Sequence, residues 1–484
     1  YITPITPVYQ PSPLVAFFPM SDTHITYDDP LDRFHPGDCG SPIIVLDKKN
    51  NIFIVGIHSA GVYRSSVKEH CAAIPLALNL MSPPPSSVQP QMFVPPVRLS
   101  PCQPFPLTPA SVPNLDPAFA CIGKIMVSSD SSSTSDLHPS IIARDPFLRD
   151  VTHAPAHLGR RGDGSAMREN VAALNRLRPP GGVFTAFSPQ VQNLLRDSLV
   201  SSHRERSIRH PPHVVSRHEA INGNSFLQPL SLSKTPGHPL KESLKAGEKG
   251  RRPFFILQPD GSHLPDPRLE ECLTDVYSIS QGASPSLVFS LFLKSELRSP
   301  EKVTKPRSIT AASLQMTIVM REQFGAWAAT DHFSHGYLSA VGMNVYSPDW
   351  DKMISQLMQM NHQGFGGDMK FFDSNLSEHM LVVLTEAIDA YYGSVGCPRL
   401  RAYLLRACKD AVIKVGPYFV TKDFGGTTGN PLTTHINNFI LEYLLLGAYL
   451  TLAMEKDPQL AEPSFFYRYV KAFGLGDDHI VAPS

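Results

Sequence analysis

With 484 residues and a hydrophobic fraction of 42%, the chain can bury more than one core, which excludes a wholly disordered polymer. Lys and Arg together number 43, as do Asp and Glu, so any surface that binds a polyanion must arise from local clustering rather than from net charge. Seven cysteines without paired spacing argue against a disulfide framework or a zinc module and fit a reducing compartment.

Residues 1 to about 80 read as short strands. Ser41-Pro42-Ile43-Ile44-Val45-Leu46 and Asn51-Ile52-Phe53-Ile54-Val55-Gly56 flank the polar turn Lys48-Lys49-Asn50, as in a hairpin. Before them, Cys39 in Pro36-Gly37-Asp38-Cys39-Gly40 sits among small residues. A thiol nucleophile needs such an exposed turn, although a buried structural cysteine fits the same pattern. Residues 81–118 are rich in proline, as in Ser82-Pro83-Pro84-Pro85, which favours an extended linker. From there to about Ser233, Arg, His and Pro mix without sustained periodicity.

Chemistry becomes legible beyond that point. Lys294, Arg298, Lys302, Lys305 and Arg307 form a basic strip able to neutralise phosphate charge, or simply a solvated face. Gly366-Gly367-Asp368-Met369-Lys370-Phe371-Phe372-Asp373 predicts a strand ending at Asp368 and a turn holding Asp373, followed by a helix with Leu376, Met380, Leu384, Ala387, Ile388 and Tyr391 on its apolar face. The bland reading of that aspartate pair is a strand end and a helix cap. A glycine loop, Gly425-Gly426-Thr427-Thr428-Gly429, then runs into a helix on which Thr433 and Asn437 lie one turn apart. Backbone amides there can meet phosphate, and the two side chains can meet a sugar. The longest apolar run, Phe439 to Met454, carries Glu442 and predicts a buried helix rather than a membrane span. Last comes Phe473-Gly474-Leu475-Gly476-Asp477-Asp478, whose adjacent carboxylates, with an upstream acidic pair, suit the two divalent cations of nucleotidyl transfer, although Gly-Asp-Asp is also a common surface turn.

In this order the basic strip, Asp-x4-Asp, the glycine loop with Thr and Asn, and Gly-Asp-Asp resemble the RNA-dependent RNA polymerase of picornavirus-like positive-strand viruses, over residues 119–484. Val341-Gly342-Met343-Asn344 with Asp349-Trp350, and Lys234-Thr235-Pro236-Gly237-His238-Pro239, are similar to further elements of that family. The resemblance implies an α+β fold: the fingers and a partial palm of a right-hand polymerase, with the thumb expected beyond Ser484. It implies that Asp368 and Asp477, assisted by Asp478, hold magnesium, or manganese in its place. Asp373 and Asn437 would read the ribose 2′-hydroxyl, and Thr433, Thr428 and Gly429 would join them around the nucleotide. Lys294, Arg298, Lys302, Lys305 and Arg307 would line its path. Partners implied are an RNA template and primer with ribonucleoside triphosphates, in a replication complex of the host cytoplasm. Two departures stand out: Thr428-Gly429 replaces the usual Ser-Gly, and Pro236 replaces a serine.

Cys39 and the segment Gly56-Ile57-His58 resemble the chymotrypsin-like cysteine protease that precedes the polymerase in such polyproteins. Residues 1–80 would be part of its second antiparallel β-barrel, with Cys39 the nucleophile, His58 lining the specificity pocket and the viral polyprotein as substrate. The base and its acidic partner are expected upstream of Tyr1. Both ends of the chain are expected to be cut, and the chain alone is expected to extend primers poorly. Two other readings use the same residues: a reverse transcriptase-like palm, disfavoured by the hydrogen-bonding groups at Asp373 and Asn437, and a cysteine endopeptidase carrying an inactive RNA-binding remnant.

Overall fold

The computed structural model describes the backbone of residues 17–21, 24–27, 42–46, 52–64 and 67–75, and then residues 107–125, 137, 153–159, 164–178, 187–367, 369 and 371–484. These fall into two compact units, Tyr1–Met92 with Asn344–Lys352, and Phe93–Met343 with Met353–Ser484.

In the first unit the described strands form one antiparallel sheet in the order Phe17–Ser21, His24–Tyr27, Val67–Pro75, Ile52–Arg64, Pro42–Leu46. The hairpin expected from the alternating apolar pattern is present, with Leu46 opposite Ile52. His58 lies on Ile52–Arg64, opposite Ala73 of the central strand Val67–Pro75. Cys39 lies outside the described residues.

The second unit contains two sheets that matter for the site. A five-stranded sheet runs in the order Ser308–Ala312, Val288–Leu293, Val412–Val415, Tyr418–Thr421, Ala120–Lys124, with a single parallel pairing between Val288–Leu293 and Val412–Val415. A three-stranded antiparallel sheet places Asp478–Pro483 between Phe365–Gly367 and Val470–Leu475. Met353 and Leu357 of the helix Pro348–Met360 pack with Phe333, Phe473 and Ala482 of this sheet region.

The helix Thr433–Lys456, here the long helix, runs through the main core. Ile436, Phe439, Ile440, Tyr443, Leu446 and Leu450 are all buried. A helix apolar on most of its faces needs neighbours on most of its faces. Among the described residues it is the one helix long and apolar enough to cross a membrane, yet 67% of its most apolar window is buried in protein. Burying each of its large aliphatic side chains contributes about 1.5–3 kcal/mol. Gly447 permits this packing, because a Cβ there would fall 2.1 Å from the Phe187 ring.

The helix predicted after Asp373 spans Glu378–Tyr392 and buries Met380, Leu384, Ala387, Ile388 and Tyr391. Its cap is Ser377, whose hydroxyl accepts from the amide of Met380, so Asp373 is not the capping group. Leu376 precedes the helix and is buried there. The strand expected to end at Asp368 is described over Phe365–Gly367, and Asp368 lies outside the described residues. Where periodicity was weak, the structure adds the helices Ser165–Asn175 and Pro189–Arg209. The second of these buries His203 and Arg206 in line with Val191, Leu195 and Leu199.

Candidate active site

Strands Val470–Leu475 and Asp478–Pro483 form a hairpin in which Leu475 faces Asp478, leaving Gly476 and Asp477 as the two-residue turn. Gly476 has φ +74°, a conformation glycine adopts without a Cβ penalty. Asp478 is exposed and Asp477 half-buried, so both carboxylates sit at the tip of a rigid element. On the other side of Asp478–Pro483, Gly366 pairs with Ile480 and Gly367 with His479. That register leads the neighbouring strand toward the turn just where Asp368 follows in sequence. Asp368 itself, like Lys370, lies outside the described residues.

Asp373 sits on the short helical turn Phe372–Asn375 and meets the long helix directly. The amide of Asn437 donates from Nδ2 to Asp373 Oδ1 at 2.7 Å. The Gly-Asp-Asp turn adjoins this pair, since a Cβ on Gly476 would lie 4.0 Å from both Cβ and Nδ2 of Asn437. Two residues expected to act on one sugar hydroxyl are therefore bonded to each other beside the acidic turn.

The glycine loop is clamped between that turn and the strand Ser308–Ala312. Gly425 has φ +58°, and a Cβ there would fall 2.5 Å from Ser374 Cα. Gly429 bridges Ala311 in parallel fashion, and its carbonyl accepts from the amide of Ala312 at 3.0 Å. Thr428 and Thr310 bond reciprocally: the Thr310 amide donates to Thr428 Oγ1 at 3.1 Å, and the Thr428 amide to Thr310 Oγ1 at 3.0 Å. Thr433 Oγ1 donates within the loop, 2.9 Å from the carbonyl of Asn430. The hydroxyls of Thr428 and Thr433 thus shape the loop before any ligand arrives.

Lys422, which no motif marks, sits beneath the loop with 4% exposure. Its Nζ donates to the carbonyls of Gly425 at 3.0 Å and Gly426 at 3.2 Å, and also to that of Phe424. Burial, with some help from Lys409, holds the ammonium down at about 7, although Cys408, Asp410 and Asp373 act to raise it.

The basic strip turns out to be partly self-neutralised. Arg307 grips Glu296 in bidentate fashion, Nε to Oε1 at 2.7 Å and Nη2 to Oε2 at 2.5 Å. Arg298 approaches the same carboxylate at 3.4 Å. Lys294, Lys302 and Lys305 are exposed. Arg176, which sequence reasoning passed over, donates to the carbonyl of Pro306 and adds a cation next to Arg298.

The family described as "Viral RNA-dependent RNA polymerase" matches residues 189–484. The genome polyprotein of Rice tungro spherical virus (strain Vt6) is 27% identical over 313 residues, which is 60% of this chain and 9% of that protein. The RNA1 polyprotein of Grapevine fanleaf virus is 26% identical over 276 residues, covering 55% of this chain and 12% of the polyprotein. The replicase polyprotein of Acute bee paralysis virus (strain Rothamsted) is 23% identical over 476 residues, 92% of this chain and 24% of its own length. The chain therefore spans only a small part of each of these relatives. Among solved structures, the Sicinivirus 3Dpol RNA dependent RNA polymerase shares the fold, with a TM-score of 0.55 at 22% identity over 79% of this chain and 71% of that one. By the extent of the family match, and with viral polyproteins as its relatives, this chain belongs to the viral RNA-dependent RNA polymerase family.

Proposed function

We propose that this chain carries the nucleotidyl-transfer site of a viral polymerase that copies RNA from an RNA template. The reading rests above all on one observation: Asn437 bonds Asp373 while the turn that bears Asp477 and Asp478 lies against the same asparagine. In the proposed reaction the primer 3′-oxygen attacks the α-phosphorus of a ribonucleoside triphosphate. The bond to the bridging oxygen breaks and pyrophosphate leaves.

Magnesium, or manganese in its place, fits the hard carboxylate oxygens of Asp477 and Asp478. Among the described residues no group of three or more His, Cys, Asp and Glu side chains is placed to hold a metal, and Asp368 is the proposed third ligand. When bound, such ions neutralise the triphosphate and acidify the attacking hydroxyl. The protein's own part is recognition. Asp373, held by Asn437, accepts from the ribose 2′-hydroxyl, and a polar group at that place favours ribonucleotides. Thr428, Gly429 and Thr433 shape the loop beside the nucleotide, and Lys294, Arg298, Lys302, Lys305 and Arg307 offset phosphate charge, with Arg307 exchanging Glu296 for the ligand. In the full-length polymerase containing this chain, Asp477→Asn should abolish primer extension with the fold intact; activity within roughly tenfold of the parent would contradict the assignment.

For the first unit we infer part of a cysteine endopeptidase that processes the viral polyprotein in the host cytoplasm, with Cys39 as nucleophile and His58 in the specificity pocket. An intact upstream polyprotein in which Cys39→Ala still cleaves at the normal rate would overturn this assignment.

A further inference from the structure

The Gly-Asp-Asp turn is held from beneath by a side chain outside every motif considered so far. Asn438 follows Asn437 on the long helix, and consecutive helical residues point about 100° apart. Asn437 reaches Asp373, whereas Asn438, 3% exposed, faces the hairpin. Its Oδ1 accepts from the amide of Gly476 at 2.8 Å. Its Nδ2 donates to Asp331 Oδ2 at 2.9 Å and to Ser339 Oγ at 2.8 Å. Every polar atom of the amide is used, and chemistry fixes its orientation: a flipped amide would set N–H against N–H at Gly476 and oxygen against carboxylate at Asp331.

The supports are themselves anchored. Asp331 Oδ2 also accepts from His435 Nδ1 at 3.0 Å, one turn back along the same helix. Ser339 belongs to a segment that lies parallel to the hairpin, where the amide of Ala340 donates to the carbonyl of Gly474 at 2.8 Å and the amide of Gly474 to that of Leu338 at 2.9 Å. Gly474 leaves room for the long helix on this side, because a Cβ there would fall 2.1 Å from Leu441 Cδ2. The only side chain that bonds the turn glycine's amide is thus locked to two other backbone segments among the described residues.

We propose that Asn438, oriented by Asp331, is a positioning residue that sets where Asp477 and Asp478 stand during nucleotide addition. This rests on the polymerase reading of the turn. Groups that orient metal-binding carboxylates without touching substrate act on the chemical step more than on substrate affinity.

In the full-length polymerase containing this chain, Asn438→Ala is expected to lower the rate of single-nucleotide addition about 10- to 100-fold. The nucleotide KM should stay within about threefold of the parent. Apart from activity, exchange of the Gly476 backbone amide with solvent should accelerate at least about tenfold. Asn438→Asp sets two carboxylates against each other and should be severely impaired, while the pair Asn438→Asp with Asp331→Asn restores a donor facing an acceptor, with His435 turning an unprotonated Nδ1 to the new amide, and should recover activity. That reciprocal pair keeps the test valid if Asn438→Ala fails to fold. An Asn438→Ala enzyme with parental rate, unchanged Gly476 exchange, or no recovery in the reciprocal pair would overturn the proposal. Asp477→Asn separates the two levels: if it is inactive while Asn438→Ala works at full speed, only the positioning role fails, whereas an active Asp477→Asn removes the polymerase reading and this inference with it.

Discussion

The glycine loop and the Gly-Asp-Asp turn both border the long helix, and they are secured in opposite ways. The loop is held at many points: Lys422 donates to successive carbonyls, Thr428 and Thr310 bond reciprocally, and Gly429 has strand backbone against it. The turn has its glycine amide tied to one asparagine and its flanking strands paired on both sides. A loop held by redundant contacts tolerates the loss of any one of them, while a turn oriented by a single amide concentrates its geometry in one side chain. On the proposed function, the loop would shape a surface for sugar and phosphate, and the turn would hold two carboxylates at fixed positions.

Substitutions can break that contrast, and the largest effect is expected at the acidic turn. Asp477→Asn should reduce primer extension by about three orders of magnitude or more, because it removes one of the negative charges proposed to hold the metal. Next is Gly429→Ala. A Cβ there would meet Thr310 O at 2.7 Å and Ala311 Cα at 2.8 Å, which are backbone atoms that cannot rotate away. The cost should be about 1–3 kcal/mol, seen as a lower melting temperature together with lost nucleotide binding. Unchanged stability would show that the strand and the loop are not clamped as described.

Third, Asn437→Ala frees Asp373 from its 2.7 Å bond and should lower the preference for ribonucleotides over deoxyribonucleotides by about tenfold or more in competition assays. The most indirect effect is expected at Lys422. Its ammonium gives up a proton near 7 in the folded chain and near 10.5 in the unfolded one, so between those values the unfolded state binds more protons. Stability should therefore rise with pH across that window, by at most about 1.4 kcal/mol per unit from this group, and Lys422→Met should flatten the rise in urea titrations. A profile unchanged by the substitution would remove Lys422 from the account of the loop.

Much of the proposed site is legible in the sequence, because the polar residues proposed to face a charged substrate gather in short motifs. Asp373, Thr428, Gly429, Asn437 and the Asp477-Asp478 pair all stand in such motifs, and helical spacing alone predicts the cores of Glu378–Tyr392 and the long helix. The supporting groups are not legible in the same way. Asn438 stands next to Asn437, but what it does depends on Asp331 and Ser339, roughly a hundred residues upstream. Lys422 resembles any lysine at a strand end until its surroundings prove to be carbonyl oxygens. The helix Pro189–Arg209 hides its period because its buried row ends in His203 and Arg206, and Arg206 is accommodated by Glu442 at 3.4 Å. In the basic strip, counting cations likewise gives no hint that Glu296 already engages Arg307 and Arg298.

The central claim is that Asp368 and Asp477 share one metal site with Asp478. Manganese binding followed by electron paramagnetic resonance, with a ribonucleoside triphosphate present, tests it directly on the parent, Asp368→Asn, Asp477→Asn and the double variant. The account predicts that each single substitution abolishes the same tight site and that the double removes nothing more. Tight binding that survives Asp368→Asn while vanishing in Asp477→Asn would contradict it.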